Sequence, residues 1–248
     1  MNPQSIAFAP GDRGPPALTE KDEKASHQGS GHRARLRQRL SDTGGDGLLD
    51  HELIEYLLAL AIPRRDTKAL AKLLLHEFGG IGGLMAADWQ AIARVPGMGE
   101  TSVAAIKVVQ ATALRMLRNA VAERPVLGSW QALLDYLRAD MAHLGVERVR
   151  VLHLNARNML IRDENMGDGS IDQAAIYTRE VIKRAMELGS ASLILVHNHP
   201  SGDPSPSKQD IEITRQIIDA GKRLGIGVHD HIIIGASGHS SLRAQGLL

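Results

Sequence analysis

The 248-residue chain has no cysteine. That absence excludes disulfides, thiolate zinc sites, cysteine nucleophiles and the cysteine-containing signature of the zinc deaminases, and it suits a reducing cytoplasm. Long apolar runs are also lacking: none approaches the roughly 20 residues that a membrane-spanning helix needs. No membrane partner is therefore expected. The N-terminus shows no basic-then-apolar pattern of a signal peptide. Nor is there an excess of charge of one sign, since the net charge is +1, so any affinity for nucleic acid must come from local clustering. What is present, 43% hydrophobic and 23% charged residues, is the composition of a soluble globular protein long enough for two domains.

The most informative stretch runs from Leu193 to Asp210. Its apolar, β-branched start, bounded by turn formers, reads as a buried strand. The strand ends on His197 and His199, and a spacing of two places both imidazoles on one face. Pro200, Gly202, Pro204 and Pro206 then impose a stiff irregular loop. Ser207 caps the helix that follows, and Asp210 falls in its first turn, pointing back toward the strand end. Two neutral nitrogens and one carboxylate oxygen are the set a catalytic zinc takes while keeping a fourth position open. A bare His-x-His is weak evidence, because paired histidines at a strand end are often solvated; the stiff loop and the correctly placed Asp distinguish this one.

His197-x-His199 followed by Ser207-x-x-Asp210 resembles the metal signature of the JAMM (MPN-plus) metalloproteases, and the run His-Asn-His-Pro-Ser-Gly-Asp-Pro is similar to the bacterial RadC-like branch. Eukaryotic members of that superfamily usually carry Ser or Thr where this chain has Asn198, so the substrate does not carry over from the ubiquitin-cleaving relatives. The resemblance implies one Zn2+ per chain on His197, His199 and Asp210, with Ser207 helping to hold an oxyanion. It also implies a glutamate base at the beginning of the domain's first strand. Glu147, ahead of Val149-Arg150-Val151-Leu152, is the choice by that topology; Glu164, near the Gly167 and Gly169 turn, is second and Glu180 third. His229, Asp230 and His231 form a further cluster, of which one member is expected to hydrogen-bond a ligand rather than be one.

Taken in order, residues 1–30 mix Pro, Gly, Ser and charge without apolar periodicity and read as a disordered tail. Residues 31–122 read as an all-helical domain. Arg33, Arg35, Arg37 and Arg39 cluster on a short helix, either as a solvated basic face or as a phosphate contact. Helices are expected from Asp50 to Leu60, from Asp66 or Thr67 to Phe78, over Trp89–Arg94 and over Glu100–Leu117. The segment Val95-Pro96-Gly97-Met98-Gly99 between the last two resembles a helix-hairpin-helix module. That likeness implies a non-specific DNA contact through the amides of Gly97 and Gly99, with Lys107 as a phosphate partner and Ile92, Val95, Val103, Ile106 and Val109 as core. Residues 31–122 carry twelve Lys/Arg against nine Asp/Glu, a difference of three, so the basic character is mild.

A linker is expected at Glu123–Pro125, followed over 126–248 by a mixed-sheet α/β domain of JAMM (MPN, cytidine-deaminase-like) type. Its elements are a helix Trp130–Leu144, strands over Glu147–Leu154, Met159–Asp163 and Ile171–Tyr177, and a helix Arg179–Leu188. The metal-bearing strand Ser192–Val196, a helix Lys208–Leu224 and a strand Gly227–Ile234 with a terminal hairpin complete it. The whole reads as an α+β zinc metallopeptidase acting on a peptide or protein substrate. The alternative is a DNA-binding accessory protein in repair or recombination whose metal site is structural or idle.

Overall fold

The computed structural model describes residues 20–169 and 178–248, with side chains from residue 31 onward. The strand expected at Ile171–Tyr177 lies outside the described residues. The chain divides into two compact units, Met1–Ala69 and Leu70–Leu248. No helix among the described residues is long and apolar enough to cross a membrane.

In the first unit, helix α1 spans Glu20–Thr43 and α2 spans Asp50–Ala61. Helix α1 thus reaches into the segment 1–30 expected to be tail. Arg39 grips the Glu52 carboxylate with two nitrogens (2.8 and 2.9 Å), while Glu52 also accepts from Leu49 N–H (3.0 Å) at the helix start. The Arg39 guanidinium, then that backbone donor, hold the Glu52 carboxyl down at about 2. Arg33 gives its guanidinium protons to the carbonyls of Ile62, Pro63 and Arg65 past the end of α2. Two of the four clustered arginines therefore serve the fold, and Arg35 and Arg37 remain exposed.

Helices α3 (Lys68–Glu77), α4 (Ile81–Ala86), α5 (Trp89–Ala93) and α6 (Glu100–Ala122) follow. Asp88 caps α5, its Oδ1 accepting from Ala91 N–H at 2.7 Å. Ile92, Val95, Val103 and Ile106 are buried as expected, but Val109 is 42% exposed. At the helical spacing of 3.6 it falls outside the stripe set by Val103 and Ile106. Helix α6 continues past Leu117 to Ala122, and Val121 packs with Val126, Leu133 and Leu137 in the core beneath the sheet. Val121 before residues 123–125 and Val126 after them share that core, and the division by compactness falls at Ala69/Leu70.

The rest is a sheet between helices. Helix α7 (Trp130–Met141) precedes β1 (Arg148–Leu154) and β2 (Leu160–Asp168); then come α8 (Thr178–Glu187), β3 (Ser192–Asn198), α9 (Lys208–Lys222), β4 (Gly227–Gly235) and β5 (Gly238–Ser241). The strand order is β2-β1-β3-β4-β5, with β3 and β4 parallel across α9 and the other neighbours antiparallel. Alternation sorts the strands onto two faces. Leu152, Leu154, Ile194, Val196, Ile232 and Ile234 meet α7 on one. Val149, Val151, Leu193 and Leu195 meet Val181 and Ala185 of α8 and Ile217 of α9 on the other. The β3 strand is buried throughout, which is why it reads as a continuous apolar run.

A charged group is nonetheless buried on the α7 side. Arg150, 7% exposed, pairs with Asp163 and Asp140, and donates to the Tyr136 hydroxyl, which in turn donates to Asp163 (2.7 Å). Burial, with the Asp163 charge, pushes the Tyr136 hydroxyl up to about 12. Removing the guanidinium alone leaves Asp163, whose side chain is 1% exposed, without its counter-charge. Arg150→Met is expected to lower unfolding stability by about 3–5 kcal/mol in denaturant titrations. A loss under about 1 kcal/mol would show the network to be dispensable.

Candidate metal centre

Each expected ligand is delivered by a different device. His197 lies on β3, on the face that carries Leu193 and Leu195 toward α8 and α9. His199 comes just after the strand, its N–H still bonded to Ile234 O (2.8 Å). Asp210 sits in the first turn of α9, held by a reciprocal cap: Ser207 Oγ accepts from Asp210 N–H (3.1 Å), and Ser207 N–H donates to Asp210 Oδ2 (2.7 Å). The intervening loop is pinned as well. Gly202 turns at φ 86, and its carbonyl accepts from both the N–H and the hydroxyl of Ser237 (3.2 and 2.7 Å). A Cβ at Gly235 would stand 2.3 Å from Gly202 O, so only glycine lets this loop seat against the β4–β5 turn.

The ligand atoms of His197, His199 and Asp210 all lie within 4.8 Å of one another. The hydrogen-bond network decides what those atoms present. His199 Nδ1 faces the Asp203 carbonyl at 2.8 Å and must carry the proton, which leaves a lone pair on Nε2 in the neutral ring. Thr214, one turn after Asp210, donates its hydroxyl proton to Asp210 O and so accepts from His231 Nδ1 at 2.6 Å. Burial, then the neighbouring His197, holds the His231 imidazole well below its ordinary range, so the ring is neutral and its Nε2 accepts. His197 Nδ1, 2.8 Å away, therefore donates to it and His197 Nε2 is also a lone pair. Burial, with His199 alongside, takes the His197 pKa down to about 3.

Three acceptors thus converge without a proton between them. The two Nε2 atoms are 3.0 Å apart, His197 Nε2 is 3.3 Å from Asp210 Oδ1, and Oδ1 is buried with no hydrogen-bond partner. An arrangement of lone pairs this close is unfavourable until a cation fills it. His197, His199 and Asp210 could therefore hold a metal ion, and the donor set fits one.

The other expected residues separate clearly. Glu147 directly precedes β1, two residues before Val149, whose register partner on β3 is His197. Ser207 is exposed at the loop end, beside Asp210. Glu164 lies within β2, not at a turn, and is bound to Arg184 (2.8 and 2.9 Å) on α8. Glu180 is exposed on α8. Of the cluster on β4, His231 is the member that hydrogen-bonds a candidate ligand, His197. Asp230 accepts from the N–H groups of His231 and Arg243, and His229 faces Asn158. Lys107, expected as a phosphate partner, spends two of its three protons on Met85 O (2.9 Å) and Gln110 Oε1 (2.8 Å), and burial lowers its pKa.

Thr214 was not singled out from the sequence, although its place four residues after Asp210 puts both on one helix face. Thr214→Val would leave His231 Nδ1–H without its acceptor. Metal affinity is expected to fall about 10- to 100-fold in competition with a chromophoric chelator. A change below about threefold would remove Thr214 from the ligand support.

Among the described residues, a five-stranded mixed sheet between helices, with a His-His-Asp cluster at the end of its middle strand, is consistent with a JAB α/β domain. The model of the RadC-like JAB domain family matches residues 127–247. The chain is 49% identical over 213 residues to a UPF0758 protein of Rhodobacter capsulatus, covering 86% of this chain and 100% of the relative. It is 48% identical over 217 residues to a UPF0758 protein of Ruegeria pomeroyi, covering 88% and 97%. The chain belongs to the UPF0758 family and carries a RadC-like JAB domain over residues 127–247.

Proposed function

We propose that this protein is a zinc-dependent hydrolase that cleaves a peptide or isopeptide bond. The observation that carries the reading is the meeting of His197 Nε2, His199 Nε2 and Asp210 Oδ1 with no donor among them. Zinc at such a site supplies a Lewis acid and brings the pKa of a water to about 7. Glu147, two residues before the Val149 that pairs with His197, accepts the proton from the attacking water and returns it to the departing amine. Ser207 uses an Oγ lone pair for Asp210 N–H, which leaves its own proton to donate to a developing oxyanion. His231 and Thr214 keep His197 in the tautomer that directs Nε2 into the centre.

The test is cleavage of a mixed peptide library, read by mass spectrometry, with and without a chelator. Chelator-sensitive products restored by zinc support the hydrolase. Bound zinc with no cleavage of peptides or of isopeptide-linked substrates would favour the accessory reading.

We also retain the non-specific DNA contact as a proposal. The loop between α5 and α6 turns at Gly97 (φ 96), and Gly99 opens α6, so the backbone there approaches a phosphate without side-chain obstruction. Lys107 is at most a weak contributor, given its internal bonds. Binding to duplex DNA that weakens steeply with salt, and further with Gly97→Val, is the expected result.

A further inference from the structure

The residue between the two histidine ligands has a task of its own. Asn198 is 1% exposed, and its carboxamide reaches across to the start of β1. Its Oδ1 accepts from Arg148 N–H at 2.8 Å and its Nδ2 donates to Val146 O at 3.1 Å. Those two groups belong to the peptide units on either side of the Glu147 Cα. The second unit is tied again where Gly169 N–H donates to Glu147 O at 2.7 Å. A peptide unit is planar, so fixing both planes fixes φ and ψ of the residue between them and hence the direction of its Cβ.

The side-chain type follows from the geometry. The β1–β3 ladder cannot continue with backbone alone, because His199 N–H is turned to Ile234 O and Pro200 has no N–H. A carboxamide offers one acceptor and a donor in the arrangement of the missing peptide. Aspartate has no donor for Val146 O, and serine is too short to span both groups.

We propose that Asn198 is a positioning residue that clamps the backbone on both sides of Glu147 and so aims its carboxylate at the His197–His199–Asp210 centre, without itself touching metal or substrate. The proposal rests on Glu147 acting as the base. It couples the base to the ligand strand: the same β3 segment that carries both histidines also sets the base.

The test compares full-length Asn198→Asp, Glu147→Gln and the double variant in three readouts. Zinc affinity of Asn198→Asp should stay within about threefold of wild type, because no ligand is altered. Amide hydrogen exchange should accelerate over 146–148 and not over β3. With a cleavable peptide, kcat should fall on the order of 10²-fold at unchanged KM, and the double variant should be no slower than Glu147→Gln alone. Unchanged exchange at 146–148, a loss of zinc in step with activity, or additive losses in the double variant would each overturn the clamp. Failure of the base assignment looks different: Glu147→Gln would cleave like wild type. The exchange and zinc readouts need no substrate, so they decide the clamp by themselves.

Discussion

Asp210→Asn is expected to fold well and to lose its response to zinc. Asp210 Oδ2 must keep accepting from Ser207 N–H, so the amide of an asparagine would place its NH2 where Oδ1 now stands. There it would donate to the Nε2 lone pair of His197, 3.3 Å from the present oxygen, and relieve the crowding of acceptors. Metal-free variant should therefore melt at or above the temperature of metal-free wild type, since an unpartnered buried oxygen has been satisfied. Added zinc should raise the melting temperature of the wild type alone; saturation at 1,000 times Kd corresponds to about 4 kcal/mol. Differential scanning calorimetry with and without zinc measures both effects. A variant that zinc stabilises as much as wild type would remove Asp210 from the ligand set.

The second large effect is expected at Glu147. Glu147→Gln removes the proton acceptor and leaves His197, His199 and Asp210 untouched, so zinc content and melting temperature should match wild type while kcat falls about 10²- to 10⁴-fold. Glu164→Gln should instead disturb the ion pair to Arg184 and spare kcat, because that carboxylate is bound to α8. Parallel kinetics and elemental analysis of the two variants separate the roles. Full turnover in Glu147→Gln with loss in Glu164→Gln would reverse the assignment of the base.

The His-His-Asp cluster was legible because its three residues lie within one short covalent span. The period of two in a strand put His197 and His199 on one face, and the cap geometry of Ser207 put Asp210 beside them. What supports the ligands was less legible, since it depends on packing between distant segments. His231 reaches His197 only because a bulge in β4 shifts the register between Leu193 and Ile194, turning residue 231 onto the face of Leu195. The bonds from Asn198 span 50 and 52 residues of sequence, and nothing local announces them.

The helical part holds an element that was not expected. No helix was expected between Phe78 and Trp89, yet α4 forms across Gly82 and Gly83, where a Cβ at Gly83 would come within 1.9 Å of Phe78 O. Close approach of backbone, not helix propensity, selects that glycine. Lys107 read as a surface cation, but the turn of α6 brings it under the end of α4 to the carbonyl of Met85. Its charge is then used internally, which no count of Lys and Arg reveals.

The most direct test of the metal centre is elemental analysis of the purified full-length protein, dialysed and then offered zinc, beside His197→Ala. One equivalent of zinc per chain is expected in the wild type and none in the variant, with chelation returning the wild type to the metal-free state. Wild-type protein that is folded and still takes up no metal would contradict it, because His197, His199 and Asp210 would then share their crowded lone pairs with no cation at all.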